Sequence, residues 1–166
     1  MNLCDLSISF AVRKMTENDI DIIYKLSLSN PMFYQYCPPN VTKNSILSDM
    51  KALPPGCTEK NKYYIGFFKG NCLTAVMDLI LGYPDIKTAY IGLFMVDNTF
   101  QGMGIGSEII SKCLNCLKNC GFHSIRLAFA KGNPQSEAFW IKNGFHPTGV
   151  ESDHGNYIAV NMEKII

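Results

Sequence analysis

The sequence has little charge and no block of charges of one sign. Charged residues make up 17% of the 166 residues, and the 15 Lys and Arg residues nearly balance the 14 Asp and Glu residues. A protein that binds nucleic acid usually carries a basic patch, so we expect no nucleic-acid partner. Internal repeats and low-complexity segments are also absent. The hydrophobic share of 47% is typical of a globular chain with a substantial core.

Long apolar runs and targeting signals are missing as well. Asp78 interrupts the best apolar candidate, so no segment approaches the roughly 20 residues that a membrane-spanning helix needs. The N-terminal residues carry no positive charge ahead of an apolar stretch, which is unlike a secretory signal. We therefore expect a cytoplasmic protein with no membrane partner. Its length predicts a single domain over residues 1–166, as a monomer or homodimer.

Cysteine is present seven times, an odd number, and the sequence has only three histidines. Cys113, Cys116 and Cys120 share one helical face, but no pair of histidines accompanies them at zinc-finger spacing. Buried thiols explain that spacing better than metal ligands, because free cysteine is among the most buried residue types. We predict no metal site, and we expect the scattered histidines to lie on the surface.

The most informative segment is a glycine-rich turn between two regular elements. Residues 89–96 form an apolar run that predicts a buried strand, and residues 107–120 carry apolar side chains at helical spacing. The turn between them contains Gly102, Gly104 and Gly106. Alternate glycines let the backbone turn sharply and point several N–H groups one way, while the helix adds the positive end of its dipole. This arrangement predicts a binding site for phosphate or pyrophosphate.

The spacing of the turn separates the known phosphate-binding patterns. A P-loop requires G-x-x-x-x-G-K-[ST], which is absent. A dinucleotide fingerprint requires G-x-G-x-x-G, and its sixth position falls on Ser107 or Ile109 here. The acidic residue expected about 20 residues after that fingerprint is also missing. A nucleotide-binding oxidoreductase is therefore disfavoured.

Two motifs resemble those of one enzyme family. Gln101-x-x-Gly104-x-Gly106 after a strand that ends at Val96 is similar to the acyl-CoA-binding signature of the GNAT superfamily of N-acetyltransferases. Residues 133–145, one strand further along, resemble the superfamily's N-x-x-(small)-x-x-(apolar)-Tyr-x-K-x-G-F element. With their flanks the two motifs cover residues 88–151. The upstream pattern is compatible with the same fold.

The resemblance implies a mixed α/β fold. It consists of a central twisted, mostly antiparallel sheet with helices on both faces and one parallel strand pair that splays apart. Sequence patterns predict strands over residues 7–15, 62–69, 72–81, 89–96, 124–130, 145–151 and 157–165. They predict helices over residues 16–29, 42–53 and 107–120, a helix between Asn133 and Gly144, and a loop over residues 30–40.

In that fold the pantetheine arm of acetyl-CoA lies between the splayed strands. The backbone of the first strand would pair with the arm, the glycine turn would hold the pyrophosphate, and Asn133 would contact the arm or serve only as a helix cap. The implied acetyl-CoA contacts are Phe94, Met95, Val96, Gln101, Gly102, Met103, Gly104, Ile105, Gly106, Ser107, Asn133, Ser136, Phe139 and Trp140.

The implied reaction is direct attack of a primary amine on acetyl-CoA in a ternary complex, where the amine belongs to a small molecule or a peptide. Trp140 replaces the tyrosine that often protonates the departing thiolate, and an indole N–H cannot deliver a proton at neutral pH. The glutamate that some members carry on the strand before the turn is missing too. Asp78 is the nearest acidic candidate for the base, although pairing with a structural partner explains this carboxylate better than catalysis does.

The acceptor is expected between the first helices and their loop. That loop supplies Phe33, Tyr34 and Tyr36, with Tyr83 nearby. Aromatic walls suit an apolar or cationic amine, and they also suit a packed loop. Two functions stay open at this point: an active N-acetyltransferase, and a GNAT-like domain that binds CoA for sensing or interaction with little or no catalysis.

Overall fold

Residues 6–7 and 9–166 are described by a computed structural model. The strands are β1 (Ala11–Lys14), β2 (Lys62–Lys69), β3 (Cys72–Leu81), β4 (Thr88–Val96), β5 (Ser124–Ala130), β6 (His146–Asp153) and β7 (Ile158–Ile165). The helices are α1 (Ile20–Leu28), α2 (Pro31–Tyr36), α3 (Lys43–Lys51), α4 (Ile105–Asn119) and α5 (Pro134–Lys142). Short 3-10 turns cover Glu17–Asp19, Glu59–Asn61 and Asn98–Phe100.

The seven strands form one sheet in the order β1-β2-β3-β4-β5-β7-β6. All neighbouring strands run antiparallel except β4 and β5, which are parallel. This confirms the predicted mixed α/β fold with a mostly antiparallel sheet and one parallel pair. A parallel pair needs a crossover connection, and α4 supplies it between these two strands.

The parallel pair is joined along only part of its length. Pairing runs from Thr88 opposite Ser124 to Ile91 opposite Leu127. Beyond that point β4 remains paired with β3 as far as Val96, and β5 remains paired with β7 as far as Ala130. Because each strand keeps its partner on the other edge, the two strands separate from one another, and a gap opens in the middle of the sheet.

Helices cover the sheet on two faces, and each face has its own core. Helices α4 and α5 pack on a core that includes Phe67, Met77, Ile109, Leu117, Trp140 and Phe145. Helices α1 and α3 pack on a second core that includes Ile23, Leu26, Ile46, Tyr64, Val76 and Met95. Alternate residues of β3 and β4 serve the two cores, as the period of two in a strand requires.

The most informative differences from the sequence predictions concern α2, β1 and α4. Residues 30–40 were predicted as a loop, but they contain α2, in which Pro31 occupies the first turn and Phe33 and Tyr34 pack against the second core. The first strand begins only at Ala11, and Ile8 of the predicted strand lies outside the described residues. Helix α4 begins at Ile105, two residues early, directly after the left-handed Gly104.

Within residues 6–7 and 9–166, no helix is long and apolar enough to cross a membrane. The helix with the most residues in that range, α4, has 15.

The packing of Phe145 gives a test of the α4 and α5 core. Its side chain is fully buried, and its ring lies 5.2 Å from that of Trp140. Phe145→Ala should lower the free energy of unfolding by about 3–5 kcal/mol, because it removes a large buried side chain and leaves a cavity. Urea denaturation measures the loss. The matched control is Ile86→Ala, whose side chain is 84% exposed and should change stability by less than about 0.5 kcal/mol; equal effects of the two would contradict this packing.

Candidate functional site

A cleft of about 420 Å³ opens where β4 and β5 separate. Its walls come from α2 and the residue before it, the end of β4, the glycine turn, the start of α4 and one face of α5. Of the residues predicted to contact acetyl-CoA, twelve line this cleft: Phe94, Met95, Val96, Gln101, Gly102, Gly104, Gly106, Ser107, Asn133, Ser136, Phe139 and Trp140. Met103 and Ile105 belong to the same turn but do not line it.

The glycine turn presents backbone to the cleft. Gly102 and Gly104 have φ values of +76° and +80°, which residues with a side chain rarely adopt. A Cβ atom placed on either glycine would meet no other atom within 4 Å. In the first hydrogen bond of helix α4, the Glu108 N–H donates to the Gly104 carbonyl oxygen at 3.0 Å. The N–H groups of residues 105–107 therefore have no partner within the helix and can bind an anion.

Gln101 holds the turn in place by hydrogen bonds to three elements. Its Nε2 donates to Asn30 Oδ1 at 2.7 Å and to the Val96 carbonyl at 3.0 Å. Its Oε1 accepts from Gln135 Nε2 at 2.9 Å. These hydrogen bonds thus connect Gln101 to α5, to the end of β4 and to Asn30, the residue before α2. Gln101 therefore shapes the cleft through its own hydrogen bonds.

Asn30 is a lining residue that the sequence did not reveal. It is buried, and its Nδ2 donates to the carbonyls of Leu26 at 3.0 Å and Val96 at 3.2 Å. Together with Gln101 it occupies both lone pairs of the Val96 carbonyl. That carbonyl is therefore not available to a ligand. The only signal in the sequence was the position of Asn30 directly before Pro31, which favours a helix start.

Helix α5 forms the opposite wall. Asn133 is buried, and its Oδ1 accepts the backbone N–H of Ser136 at 3.1 Å, so it does cap the helix. Gln135, Ala138 and Lys142 recur at helical spacing along the face that lines the cleft. Among the described lining residues Lys142 is the only one with a positive charge, so the cleft combines a cation with a helix N-terminus.

Aromatic side chains close the inner end of the cleft. The ring of Trp140 lies 4.9 Å from that of Phe139, 5.2 Å from that of Phe145 and 6.1 Å from that of Phe94. Trp140 is buried within this aromatic cluster. An indole donates a hydrogen bond without releasing a proton, so this wall offers a polar contact but no acid.

Asp78 does not line the cleft. It lies on β3 and pairs with Lys62 Nζ at 2.8 Å, and Lys62 also donates to the Ala52 carbonyl at 2.8 Å. Both side chains are buried, and Asp78 Oδ1 has no hydrogen-bond partner among the residues described. Burial raises the pKa of Asp78 above its usual range, and Lys62 opposes part of that shift.

The residues predicted for the acceptor divide between two places. Phe33 lines the cleft, whereas Tyr34, Tyr36 and Tyr83 do not. Tyr34 packs edge-on against Phe33 with 5.0 Å between ring centroids, and Tyr83 packs edge-on against Tyr90 at 5.6 Å. Tyr34 and Tyr83 thus lie in packed aromatic pairs and do not line the cleft.

The titratable side chains that the structure describes do not form a metal centre. No group of three or more His, Cys, Asp or Glu residues there is placed to hold an ion. Cys113 and Cys116 are buried in the core, while Cys120 is exposed. Burial raises the pKa of the Cys113 thiol to about 12, which disfavours the thiolate that a metal would require.

Separated parallel strands with a glycine turn leading into a helix define a class of acyl-CoA-dependent transferases. The model of the acetyltransferase (GNAT) family matches residues 27–145, and the chain belongs to this family. No curated protein sequence matches the chain significantly.

Solved structures share the fold at low identity. An acetyltransferase from Thermus thermophilus is 19% identical with a TM-score of 0.76, over 96% of this chain and 98% of that one. A Salmonella typhimurium acetyl transferase that modifies the N-terminal serine of ribosomal protein L7/L12 is 22% identical with a TM-score of 0.72, over 97% of both chains. The PaiA N-acetyltransferase of Thermoplasma acidophilum in complex with coenzyme A is 16% identical with a TM-score of 0.68, over 96% and 100%.

The hydrogen bonds of Gln101 allow a test of the cleft's construction. Gln101→Ala should lower the free energy of unfolding by about 1–3 kcal/mol, because it leaves Asn30 Oδ1 unpaired in a buried position. Gln135→Ala removes only the exposed bond to Gln101 and should cost less than about 0.5 kcal/mol. Urea denaturation of both variants compares the two losses. A Gln101 variant as stable as the Gln135 variant would show that the buried bonds do not hold the turn.

Proposed function

We propose that this acetyltransferase-family protein is an acetyl-CoA-dependent N-acetyltransferase. It transfers the acetyl group to a primary amine of a small molecule or a peptide, by direct attack in a ternary complex. The observation that carries the proposal is the cleft between the separated strands, with the glycine turn and the start of α4 at its mouth.

The cleft has features that match each part of acetyl-CoA. The separated strands leave backbone N–H and C=O groups unpaired, and an amide-rich pantetheine arm can pair with them as an added strand does. Phe94 and Phe139, stacked with 5.8 Å between centroids, give the arm an apolar wall. The N–H groups at the start of α4 suit the pyrophosphate, and Lys142 adds a positive charge. The complex of the Thermoplasma acidophilum neighbour with coenzyme A supports this assignment.

The protein would contribute to the reaction mainly by position and by backbone polarity. Holding both reactants at one site replaces an encounter in solution, and a backbone N–H near Val96 would stabilise the negative charge on the thioester oxygen. Trp140 cannot supply the proton for the departing thiolate. We therefore propose that water delivers this proton.

The acceptor is proposed from the walls of the site and from one neighbour. Phe33 at the cleft, with Tyr34 packed against it, suits a cationic amine through packing and cation–π contact. The Salmonella typhimurium neighbour modifies an N-terminal serine, which supports a peptide N-terminus as the first class to test.

The second candidate is a domain that binds CoA with little or no catalysis. Trp140 in the position of the usual tyrosine, and the absence of an acidic side chain on β4, favour it. The two candidates separate in an assay of free thiol release from acetyl-CoA, using peptides with free N-terminal serine or alanine, an N-terminally blocked lysine peptide, and simple alkylamines. Amine-dependent release supports the transferase, while CoA that copurifies without any release supports the binding domain.

The glycine turn offers a matched pair of variants for acetyl-CoA binding. Gly104 at the start of α4 and Gly121 just beyond its end have φ values of +80° and +85°, and a Cβ atom on either would meet open space. Gly104→Val and Gly121→Val should therefore lose similar stability. Only Gly104→Val should lose binding of acetyl-CoA, because its side chain would fill the phosphate position. Calorimetric titration measures the affinities.

Binding should also raise stability. At 100 times its dissociation constant, acetyl-CoA should raise the free energy of unfolding of the wild type and of Gly121→Val by about 2.7 kcal/mol. NAD and ATP should give smaller shifts in melting temperature at equal concentration, since they lack the pantetheine arm. Unchanged affinity in a folded Gly104→Val, or a larger shift with NAD, would refute the proposed binding mode.

Trp140 allows the missing acid to be tested with one hydroxyl group. Trp140→Tyr should raise turnover with little change in the Michaelis constant for acetyl-CoA, because only the transition state gains a proton donor. A well-placed general acid contributes about 100-fold or more, and the smaller ring offsets part of this gain by leaving a gap. Trp140→Phe loses a similar side-chain volume but gains no hydroxyl group, so its turnover should not rise. Equal turnover of the two variants would show that protonation of the thiolate does not limit the reaction.

A further inference from the structure

Gly92 lies at the point where β4 separates from β5, just outside the lining of the cleft. The pairing of β4 with β5 ends at Ile91, so Gly92 is the first β4 residue beyond it. On the other edge of β4, Leu93 pairs with Asp78 and Ile91 pairs with Leu79, which leaves Gly92 as a bulge without a partner on β3. Bulges often occur next to active sites, where they redirect side chains.

The carboxylate of Asp78 lies directly beside this bulge. A Cβ atom on Gly92 would approach Asp78 Oδ2 to 2.9 Å, closer than such contacts normally occur. Gly92 itself is exposed, whereas Asp78 is only 8% exposed. The absence of a side chain on Gly92 is therefore what leaves the approach to the carboxylate uncovered.

The two sides of β4 differ in chemistry at this point. Phe94 faces Phe139 and Trp140 on the α5 side, where the acyl donor is proposed to lie. Leu93 packs on the opposite side, with the core under α1 and α3. Asp78 faces that opposite side too, because Lys62 Nζ bonds both to its carboxylate and to the Ala52 carbonyl just after α3. Gly92 lies next to this carboxylate.

We infer that Asp78 is the general base of the reaction and accepts the proton of the acceptor amine over Gly92. The inference rests on the proposed N-acetyltransferase function. It places the acyl donor and the amine on opposite sides of β4, at the point where the sheet opens. It also explains how the reaction has a base although β4 carries no acidic side chain, because the Asp78 carboxylate comes from the adjacent strand β3.

The protons balance in three steps. The ammonium form of the acceptor gives one proton to the Asp78 carboxylate, and the neutral amine attacks the thioester carbonyl. The C–S bond then breaks as the amide forms, and the second proton of the nitrogen passes through water to the CoA thiolate. Asp78 finally releases its proton to solvent, so each cycle yields an amide, free CoA and one proton.

The charges around Asp78 determine the pH at which it can act. Burial raises its pKa, Lys62 on β2 lowers it by a smaller amount, and Asp49 on α3 raises it. Tyr64 on β2 also faces it, and burial keeps the pKa of that phenol well above its usual range. Because the carboxylate form is the base, turnover should fall as pH drops through this raised pKa. The protonated form favours folding, so Asp78 ionisation should weaken stability as pH rises through the same value.

The test uses Asp78→Asn and Gly92→Ala in the full chain, with acetyl-CoA and the peptide or alkylamine that the wild type accepts best. Asp78→Asn should lower kcat by about 100- to 10,000-fold, keep the Michaelis constant for acetyl-CoA, and abolish the acidic limb of the pH profile. Gly92→Ala keeps the Asp78 side chain but places a methyl group against its Oδ2, and it should lower kcat in the same direction. Melting temperatures with and without acetyl-CoA show whether each variant is folded.

The outcomes separate the inference from the proposed function. A wild type without amine-dependent release of CoA overturns the proposed function and the inference together. An active wild type whose acidic limb persists in a folded Asp78→Asn overturns the inference alone. If Asp78→Asn does not fold, wild-type turnover in Gly92→Ala overturns the inference, and reduced turnover with retained acetyl-CoA affinity supports it.

Discussion

The separation of β4 from β5 is the constraint on which the rest of this structure depends. A buried backbone N–H or C=O group needs a hydrogen-bond partner, and these two strands stop supplying each other after Ile91 and Leu127. Their outer edges remain paired with β3 and β7, so the strands cannot close the gap by shifting. The gap persists as a cleft, and a ligand that pairs as a strand satisfies groups that the sheet itself leaves open.

The other elements of the site keep that cleft open and give it direction. Gln101 and Asn30 join the glycine turn to the end of β4 and to the residues after α1, so the turn is held by buried hydrogen bonds as well as by its own backbone. Helix α4 points its N-terminus at the mouth, where negative charge is stabilised, and Lys142 adds a charge from α5. Trp140 and its aromatic neighbours close the inner end. The cleft therefore combines one cationic side chain and a helix N-terminus with an apolar aromatic wall.

The point where β4 and β5 separate also lies next to a buried ion pair. Lys62 and Asp78 form a buried ion pair on β2 and β3, and the bulge at Gly92 lies beside it. A buried pair of this kind contributes little net stability, because desolvation of the two charges offsets much of their attraction. Its position at the point where the sheet opens is the basis of the proposed role of Asp78 as general base.

The sequence by itself determined the elements whose causes are local. Glycine at alternate positions predicted the turn, because positive φ values favour residues without a side chain, and Gly102 and Gly104 do have them. Periodicity predicted β2, β3 and β5 at their observed bounds, while α2 was missed because its six residues are too few to show a helical period. The roles of Trp140 and Asp78 in the reaction remain predictions. Only the tertiary structure decided that Gln101 bonds to Asn30, that Asp78 pairs with Lys62, and that Gly92 lies over that carboxylate. Such contacts depend on strand register and on the end of strand pairing, which a single sequence does not specify because they are set by packing between distant segments.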